Sequence, residues 1–329
     1  MTLLLSQADV MQVLKVNEAI NVVEKAFIEF TKGDVDMPQR PIIRVPEHNG
    51  LCAFMPAWLP TMRALAIKLV TAFKGNVQRG LPTVLGVIEL LDPETGAPLA
   101  IMDGGYLTAV RTGAASGVAT KYLAREDAHV VAVFGAGVQG RTQLQAVCAV
   151  REINEVRVFD IDSKAAERFA QEMGGQCCIP TKIDVVDSPR EALLGVNIVA
   201  TATTSPTPVF DGDDLAPGMH INGIGSHAPT VRELDTKTVV RSKIICDSLD
   251  ACLAEAGDLL IPMQEGTLNQ EDIIYGQLGE VITGKLSGRE SDEEITLFKS
   301  VGLAFQDASV ALYVYQKARE ESVGTEFEF

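Results

Sequence analysis

Apolar and polar positions alternate along residues 41–45, 52–58, 64–73, 83–91 and 98–102, a period of two that predicts five strands. Asp92-Pro93-Glu94-Thr95-Gly96 supplies the turn before the last of them, and the short connections make this sheet largely antiparallel. Ahead of it, Ser6 followed by Asp9 predicts a capped helix. A second helix opens at Asn17, carries Ile20, Val23, Phe27 and Phe30 on one face, and ends at Gly33. Residues 104–122 read as a helix rich in small side chains, suited to packing close against a neighbouring backbone.

From His129 the texture changes to alternating strand and helix. HVVAVF, EVRVFD, NIVATAT, MHINGIG and KIICDS read as strands, with another near Ile179 and helices from Val138 and Ser163. That alternation predicts a Rossmann-type doubly wound parallel sheet over residues 123–302. Residues 302–320 return to helical spacing through Leu303, Ala304, Ala308, Ala311, Leu312 and Tyr315, so residues 303–329 are expected to pack back on residues 1–122. The fold class is therefore α/β, a parallel nucleotide-type domain beside a mostly antiparallel α+β domain.

Composition narrows the function. The chain has 329 residues, 47% of them hydrophobic, enough for two buried cores, and a formal charge of −16 that repels a polyanion. Nucleic acid is not an expected partner. The six cysteines, Cys52, Cys148, Cys177, Cys178, Cys246 and Cys252, have no CxxC spacing, and with four scattered histidines they form no metal pattern. Reduced thiols, no basic leader before MTLLL and no apolar run long enough to span a bilayer give the expectation of a cytoplasmic chain without a membrane partner.

The sharpest motif is HVVAVFGAGVQGRTQ. Gly135, Gly137 and Gly140 stand in GxGxxG spacing between an apolar strand and a helix, the arrangement that cradles a dinucleotide pyrophosphate at a helix N-terminus. Asp160 ends the next strand, where the fingerprint places an acid for the ribose hydroxyls. A carboxylate there repels a 2′-phosphate, so NAD is favoured over NADP. Asp162 is the competing choice and reads better as a helix cap. Thr201, Thr203 and Thr204 follow a third strand at the edge where ligands sit in such sheets. Arg44, Lys68 and Arg111 each interrupt an otherwise apolar element, where a charge is costly unless paired or facing a ligand. Together they suggest a pocket for a small carboxylate.

These segments, with FMPAW, IKLVTAF, the stretch GLPTVLGVIELLDPETGAPLAIMDGGYLTAVRTG, INGIGSHAPTVRELD and GRESDEEITLFKSVGLAFQD, resemble the ornithine cyclodeaminase and mu-crystallin family over nearly the whole chain. The family includes an archaeal type of alanine dehydrogenase and several ketimine reductases. The resemblance implies a homodimer joined through the sheet domain, with substrate held between the domains. It implies that Arg44, Lys68 and Arg111 bind the substrate carboxylate, that Lys68 also moves a proton, and that Val301 meets the substrate side chain. Thr83, Arg111, Val138, Gln139, Asp160, Thr201, Ile224, Gly225, Ser226 and Ser300 match cofactor-contacting positions.

Two departures separate the family's activities. Ornithine cyclodeaminases carry a glutamate before the Met-Pro step and an aspartate after the Gly-Gly turn, and here those positions are Ala53 and His227. Without them the diamine loses its ion pair and the cyclisation its base. His227, with an unperturbed pKa near neutrality, is the candidate to replace the aspartate in proton transfer. The expected function is hydride transfer between NAD and the α-carbon of a small amino acid or its imine. Alanine dehydrogenase-like activity stands first, with ketimine reduction, ornithine cyclodeamination and a non-catalytic mu-crystallin-like binder as alternatives. Retention of Lys68 with both arginines argues against the binder.

Overall fold

The computed structural model describes residues 1–269 and 274–328, and the chain divides into two compact units: Met1–Arg111 with Leu303–Phe329, and Thr112–Gly302. In the first unit, seven strands form one sheet: β1 (Thr2–Leu5), β2 (Ile42–Val45), β3 (Gly50–Leu59), β4 (Ala64–Phe73), β5 (Val84–Leu91), β6 (Pro98–Asp103) and β15 (Thr325–Phe327). Their order is β15-β1-β6-β5-β4-β3-β2, antiparallel throughout except for the parallel pair β1 and β6. The five expected strands appear within two residues of their expected ends. β1 and β15 were not foreseen, because runs of four and three residues show too little alternation to register.

Strand parity decides what this sheet buries. Ala53, Met55, Ala57 and Leu59 on β3, Ala64, Ala66 and Lys68 on β4, and Ile88 and Leu90 on β5 share the covered face. Three helices accompany the sheet: α1 (Gln7–Val13), α2 (Val16–Thr31) and, far along the chain, α11 (Ala304–Glu321), which contacts both β3 and β4. The alanines leave room for α11 to come close, and Phe305 at its start is locked between Phe27 (edge to face, 5.1 Å) and Phe30 (stacked, 4.8 Å). Ser6 caps α1 in a box with Asp9, as the sequence predicts. On α2 the buried Glu29 accepts the backbone N–H groups of Thr61 (2.6 Å) and Met62 (3.1 Å), fixing the β3–β4 turn.

The division between the units falls inside α3 (Gly104–Leu123), just after Arg111, not at residue 122. Residues 111–120 are buried on every side, and a Cβ on Gly113 would stand 2.5 Å from the Thr142 carbonyl, so the small residues do serve a close helix contact.

The second unit holds an eight-stranded sheet, parallel in every pairing among the described residues, in the order β13-β12-β14-β11-β10-β7-β8-β9. The strands are β7 (Val130–Phe134), β8 (Glu155–Phe159), β9 (Asp184–Val185), β10 (Ile198–Thr201), β11 (His220–Gly223), β12 (Ser242–Cys246), β13 (Ile274–Gln277) and β14 (Ile295–Lys299). With them run α4 (Val138–Val150), α5 (Ser163–Met173), α6 (Pro189–Leu193), α7 (Thr236–Arg241), α8 (Leu249–Glu255), α9 (Gly257–Gln264) and α10 (Leu278–Ile282). β7, β10, β11 and β14 are buried at every position, as strands covered on both faces must be. The strand expected near Ile179 is a turn, Ile179 N–H to the Gln176 carbonyl, and the strand lies five residues later as β9. The winding reverses between β7 and β10, the position where such sheets bind ligands beyond their carboxyl ends.

Replacing Glu29 with alanine should orphan two N–H groups at the β3–β4 turn and lower the unfolding free energy by about 1–3 kcal/mol. Urea denaturation checks this, and a loss within error of zero would show that water replaces the carboxylate.

Candidate active site

In the first unit the chemistry gathers on one carboxylate. Asp307, in the first turn of α11, accepts Lys68 Nζ on Oδ2 at 2.6 Å and Arg111 Nε on Oδ1 at 2.8 Å, and all three side chains are at most 6% exposed. Arg111 Nη1 also donates to Gln306 Oε1 at 2.7 Å. Lys68 lies mid-strand on the covered face, with Met55 and Ile88 as its cross-strand neighbours. Desolvation is the largest influence on Lys68, opposed by Asp307 and reinforced by the cations Arg111 and Arg40. Its pKa falls to about 8. Two buried cations on one carboxylate leave a unit of positive charge, and a small organic anion is the ligand that would neutralise it.

Arg44 is not brought to this cluster. It is exposed on β2, an edge strand, opposite Leu51, whereas Lys68 lies opposite Met55, four residues further along β3. A charge on an uncovered edge costs little, so the apolar surroundings in sequence had another explanation. Arg40 is the arginine whose charge reaches Lys68. It is half-buried, with Nη1 3.9 Å from Met55 Sδ. Arg40 lies in an irregular segment, and the sequence reading passed over it, as it did Gln306 and Asp307. The one available signal was a Gln-Asp pair breaking the apolar stripe of α11. Thr83 precedes β5, where its carbonyl accepts Phe73 N–H at 2.8 Å, and Ala53 is buried on β3.

The second unit holds the dinucleotide cradle. Gly135 ends β7 at φ +100°, and a Cβ there would stand 2.7 Å from the Ala202 carbonyl. A Cβ on Gly140 would strike the Gly135 carbonyl at 2.0 Å, while nothing lies within 4 Å of the Cβ position of Gly137. That open side faces the start of α4, whose N-cap, Gly137, offers no side chain to the first N–H groups, and Val138 beside it is 65% exposed. Unpartnered helix N–H groups beside open space fit a pyrophosphate. Asp160 follows β8, and its two oxygens accept Ala136 N–H (2.8 Å) and Asp162 N–H (2.9 Å), leaving lone pairs for sugar hydroxyls. Asp162 caps α5 through Lys164 N–H, as expected.

Three buried carboxylates order the loops beyond the strands. Glu233 accepts Thr201 Oγ1 (3.0 Å), Thr203 N–H and Oγ1 (2.6 Å each) and Gly225 N–H (2.6 Å), tying the end of β10 to that of β11; burial raises its pKa. Asp258 holds Lys299 at 2.7 Å, and Lys299 also donates to the carbonyls of Gly223 and Ser226. Asp247 accepts Ser300 Oγ and the N–H groups of Val301 and Gly302. The hydroxyl protons of Thr201, Ser300 and Ser226, the last given to the Val231 carbonyl at 2.7 Å, are therefore committed to scaffolding. Ile224 and Val301 are buried at 8% and 7% exposure. Gln139 has its Oε1 buried without a partner, and His227 is exposed with Nδ1 3.0 Å from the Gly225 carbonyl. Among the described residues no cluster of histidine, cysteine, aspartate or glutamate is arranged to hold a metal, and no helix is long and apolar enough to cross a membrane.

A parallel sheet with a glycine cradle at its switch point defines a Rossmann-type nucleotide-binding chain. More narrowly, the model of the ornithine cyclodeaminase/mu-crystallin family matches residues 1–322, and the chain belongs to that family. It is 38% identical over 328 residues to a Delta(1)-pyrroline-2-carboxylate reductase of Bacillus cereus, covering 99% of this chain and 100% of that protein. Among solved structures it resembles the Delta(1)-pyrroline-2-carboxylate reductase of Thermococcus litoralis in complex with NADH and L-proline, with a TM-score of 0.96 and 48% identity, covering 99% of this chain and 100% of that one. It also resembles an archaeal alanine dehydrogenase dimer with bound NAD, with a TM-score of 0.92 and 38% identity over 100% and 99% of the two chains.

Removing Asp307 strands two buried cations, so Asp307→Ala should cost roughly 3–5 kcal/mol of stability. Lys68→Met, which leaves Asp307 paired with Arg111, should cost less, and equal losses in guanidinium titrations would contradict the shared-carboxylate account. Between the folded pKa of Lys68, about 8, and the ordinary lysine value of 10.5, the unfolded chain binds more protons, so stability gains with rising pH across that window. That gain should be missing in Lys68→Met.

Proposed function

We propose that this chain reduces a small cyclic imino acid, with Δ1-pyrroline-2-carboxylate as the model substrate, to the corresponding cyclic amino acid. It is an NAD-dependent oxidoreductase of the class that acts on imines and amino acids. The observation that carries the reading is the buried Lys68–Asp307–Arg111 cluster, whose surplus positive charge suits a 2-carboxylate. Arg111 grips the carboxylate, and Lys68 both attracts it and gives a proton to the imine nitrogen. A reduced dinucleotide, when bound, would supply the hydride that with the proton from Lys68 turns C=N into CH–NH, and Lys68 would recover its proton from water. A donor with a pKa of about 8 suits proton transfer near neutral pH. Asp160 and the Gly135 turn hold the dinucleotide, with the carboxylate favouring NAD over NADP.

This order reverses the expectation that put alanine dehydrogenation first. The support is the run of full-length relatives named as pyrroline-2-carboxylate reductases, with the likeness to an archaeal alanine dehydrogenase keeping oxidative deamination of alanine as the second reading. Ala53 and His227 in place of carboxylates argue against a diamine substrate, and the contact of His227 Nδ1 with its own loop favours Lys68 as the proton donor.

A second copy of the chain fits the uncovered sheet face. There Phe54, Leu69 and Val87 stand side by side across β3, β4 and β5 with Leu85 nearby, and Leu69, Leu85 and Val87 are 40–47% exposed. The dimeric alanine dehydrogenase relative supports pairing, and the exposed apolar row makes this face the candidate for it.

Purified protein given NADH should convert Δ1-pyrroline-2-carboxylate to proline with a kcat/KM at least about tenfold above that for pyruvate with ammonium. The reverse order would favour the second reading, and turnover of neither would reject both. KM for the imino acid should rise as pH passes about 8, because neutral Lys68 no longer attracts the carboxylate. Leu69→Glu combined with Val87→Glu should return the 35.3 kDa monomer in analytical ultracentrifugation, where the unaltered chain sediments at twice that mass.

A further inference from the structure

Gln306, the third residue of α11, is fully buried beside Arg111. Its Oε1 accepts Arg111 Nη1 at 2.7 Å and Leu303 N–H at 3.4 Å, and two donors on that atom fix which way round the amide stands. Nε2, the other corner of the same planar group, is buried with no hydrogen-bond partner. The neighbouring carboxylate, Asp307, already has one cation on each oxygen. A donor buried beside a guanidinium without an acceptor is unfavourable unless a ligand brings one. A glutamate at this position would pair more strongly with Arg111, so the electrostatics of the apoprotein do not by themselves account for an amide here.

We propose that Gln306 is a substrate-binding residue that sets carboxylate specificity: its Nε2 donates to an oxygen of the same carboxylate that Arg111 and Lys68 neutralise. The inference rests on the imino-acid reading and adds to it a neutral donor that distinguishes a carboxylate from a carboxamide. A carboxylate accepts at both oxygens, whereas a carboxamide turns an N–H group toward Nε2 or gives up its contact with Arg111.

The test uses pyrrole-2-carboxylate, a flat ring acid that cannot accept a hydride, and pyrrole-2-carboxamide, with the NAD-loaded protein in calorimetry. Gln306→Leu should weaken binding of the acid at least about tenfold. Gln306→Glu keeps the acceptor for Arg111 and Leu303 and so guards against a folding defect. It should weaken the acid while tightening the carboxamide, whose N–H group it can accept. A crystal structure of the acid complex should place Nε2 within hydrogen-bond distance of a carboxylate oxygen. Wild-type protein that reduces the imino acid while either variant binds the acid unchanged, or a complex in which Nε2 points away from it, would overturn the inference alone. Wild-type protein that neither binds the acid nor reduces the imine would overturn the functional reading and this inference together.

Discussion

One carboxylate under two buried cations organises the first unit. Lys68 comes from the middle of β4, Arg111 from α3 and Asp307 from α11, and each charge is costly in an apolar layer without an opposite partner. The pairing closes a sequence separation of 239 residues between Lys68 and Asp307, so the terminal helix docks on the sheet through this ion pair as well as by packing. Phe305, two residues earlier and wedged between Phe27 and Phe30, supplies the apolar half of that docking. Because the ion pair is short of one negative charge, its stability and its ligand preference have the same origin.

The second unit applies related physics with the balance reversed, three buried carboxylates beside one buried lysine. Glu233, Asp247 and Asp258 sit beyond the carboxyl ends of the strands, and each gathers backbone N–H groups from loops that no regular structure satisfies. Burial works against the charge of Lys299, yet the attraction of Asp258 outweighs it and the lysine is held more firmly protonated than usual. Lys68 goes the other way because Arg111 and Arg40 add to desolvation. Two buried lysines of the same chain thus differ in role through the balance of their neighbours: one is a fixed strut, the other a proton within reach of neutral pH.

How much of this was legible in sequence follows from the range of each interaction. The dinucleotide cradle was readable because its parts, Gly135 to Asp160, lie within one strand–helix–strand unit, and the spacing itself encodes the turn. The sheet strands were readable from alternation, and Lys68 stood out as a charge on a covered face. Arg44 stood out for the same reason and proved to lie on an exposed edge, since alternation gives the face of a residue and says nothing of whether anything covers that face. Arg40, Gln306 and Asp307 left little trace, because an irregular segment has no period and a polar pair on a buried helix resembles any other interruption. β14 sits in space between β11 and β12 although it follows both in sequence, a topological fact that no local pattern carries.

The position of Lys68 bears on how one side chain serves both binding and proton transfer. Protonated, it completes the charge that receives a carboxylate; once the proton passes to the imine nitrogen of the proposed substrate, the site is left with Arg111 and Asp307, close to neutral. The hold on the product therefore weakens as a direct result of the chemical step. A lysine with an ordinary pKa would attract the substrate as well but surrender its proton reluctantly, and one without Asp307 would lose its proton before substrate arrived. The single shared carboxylate places the side chain between those limits, so the same three residues contribute to the stability of the unit and to the proposed reaction.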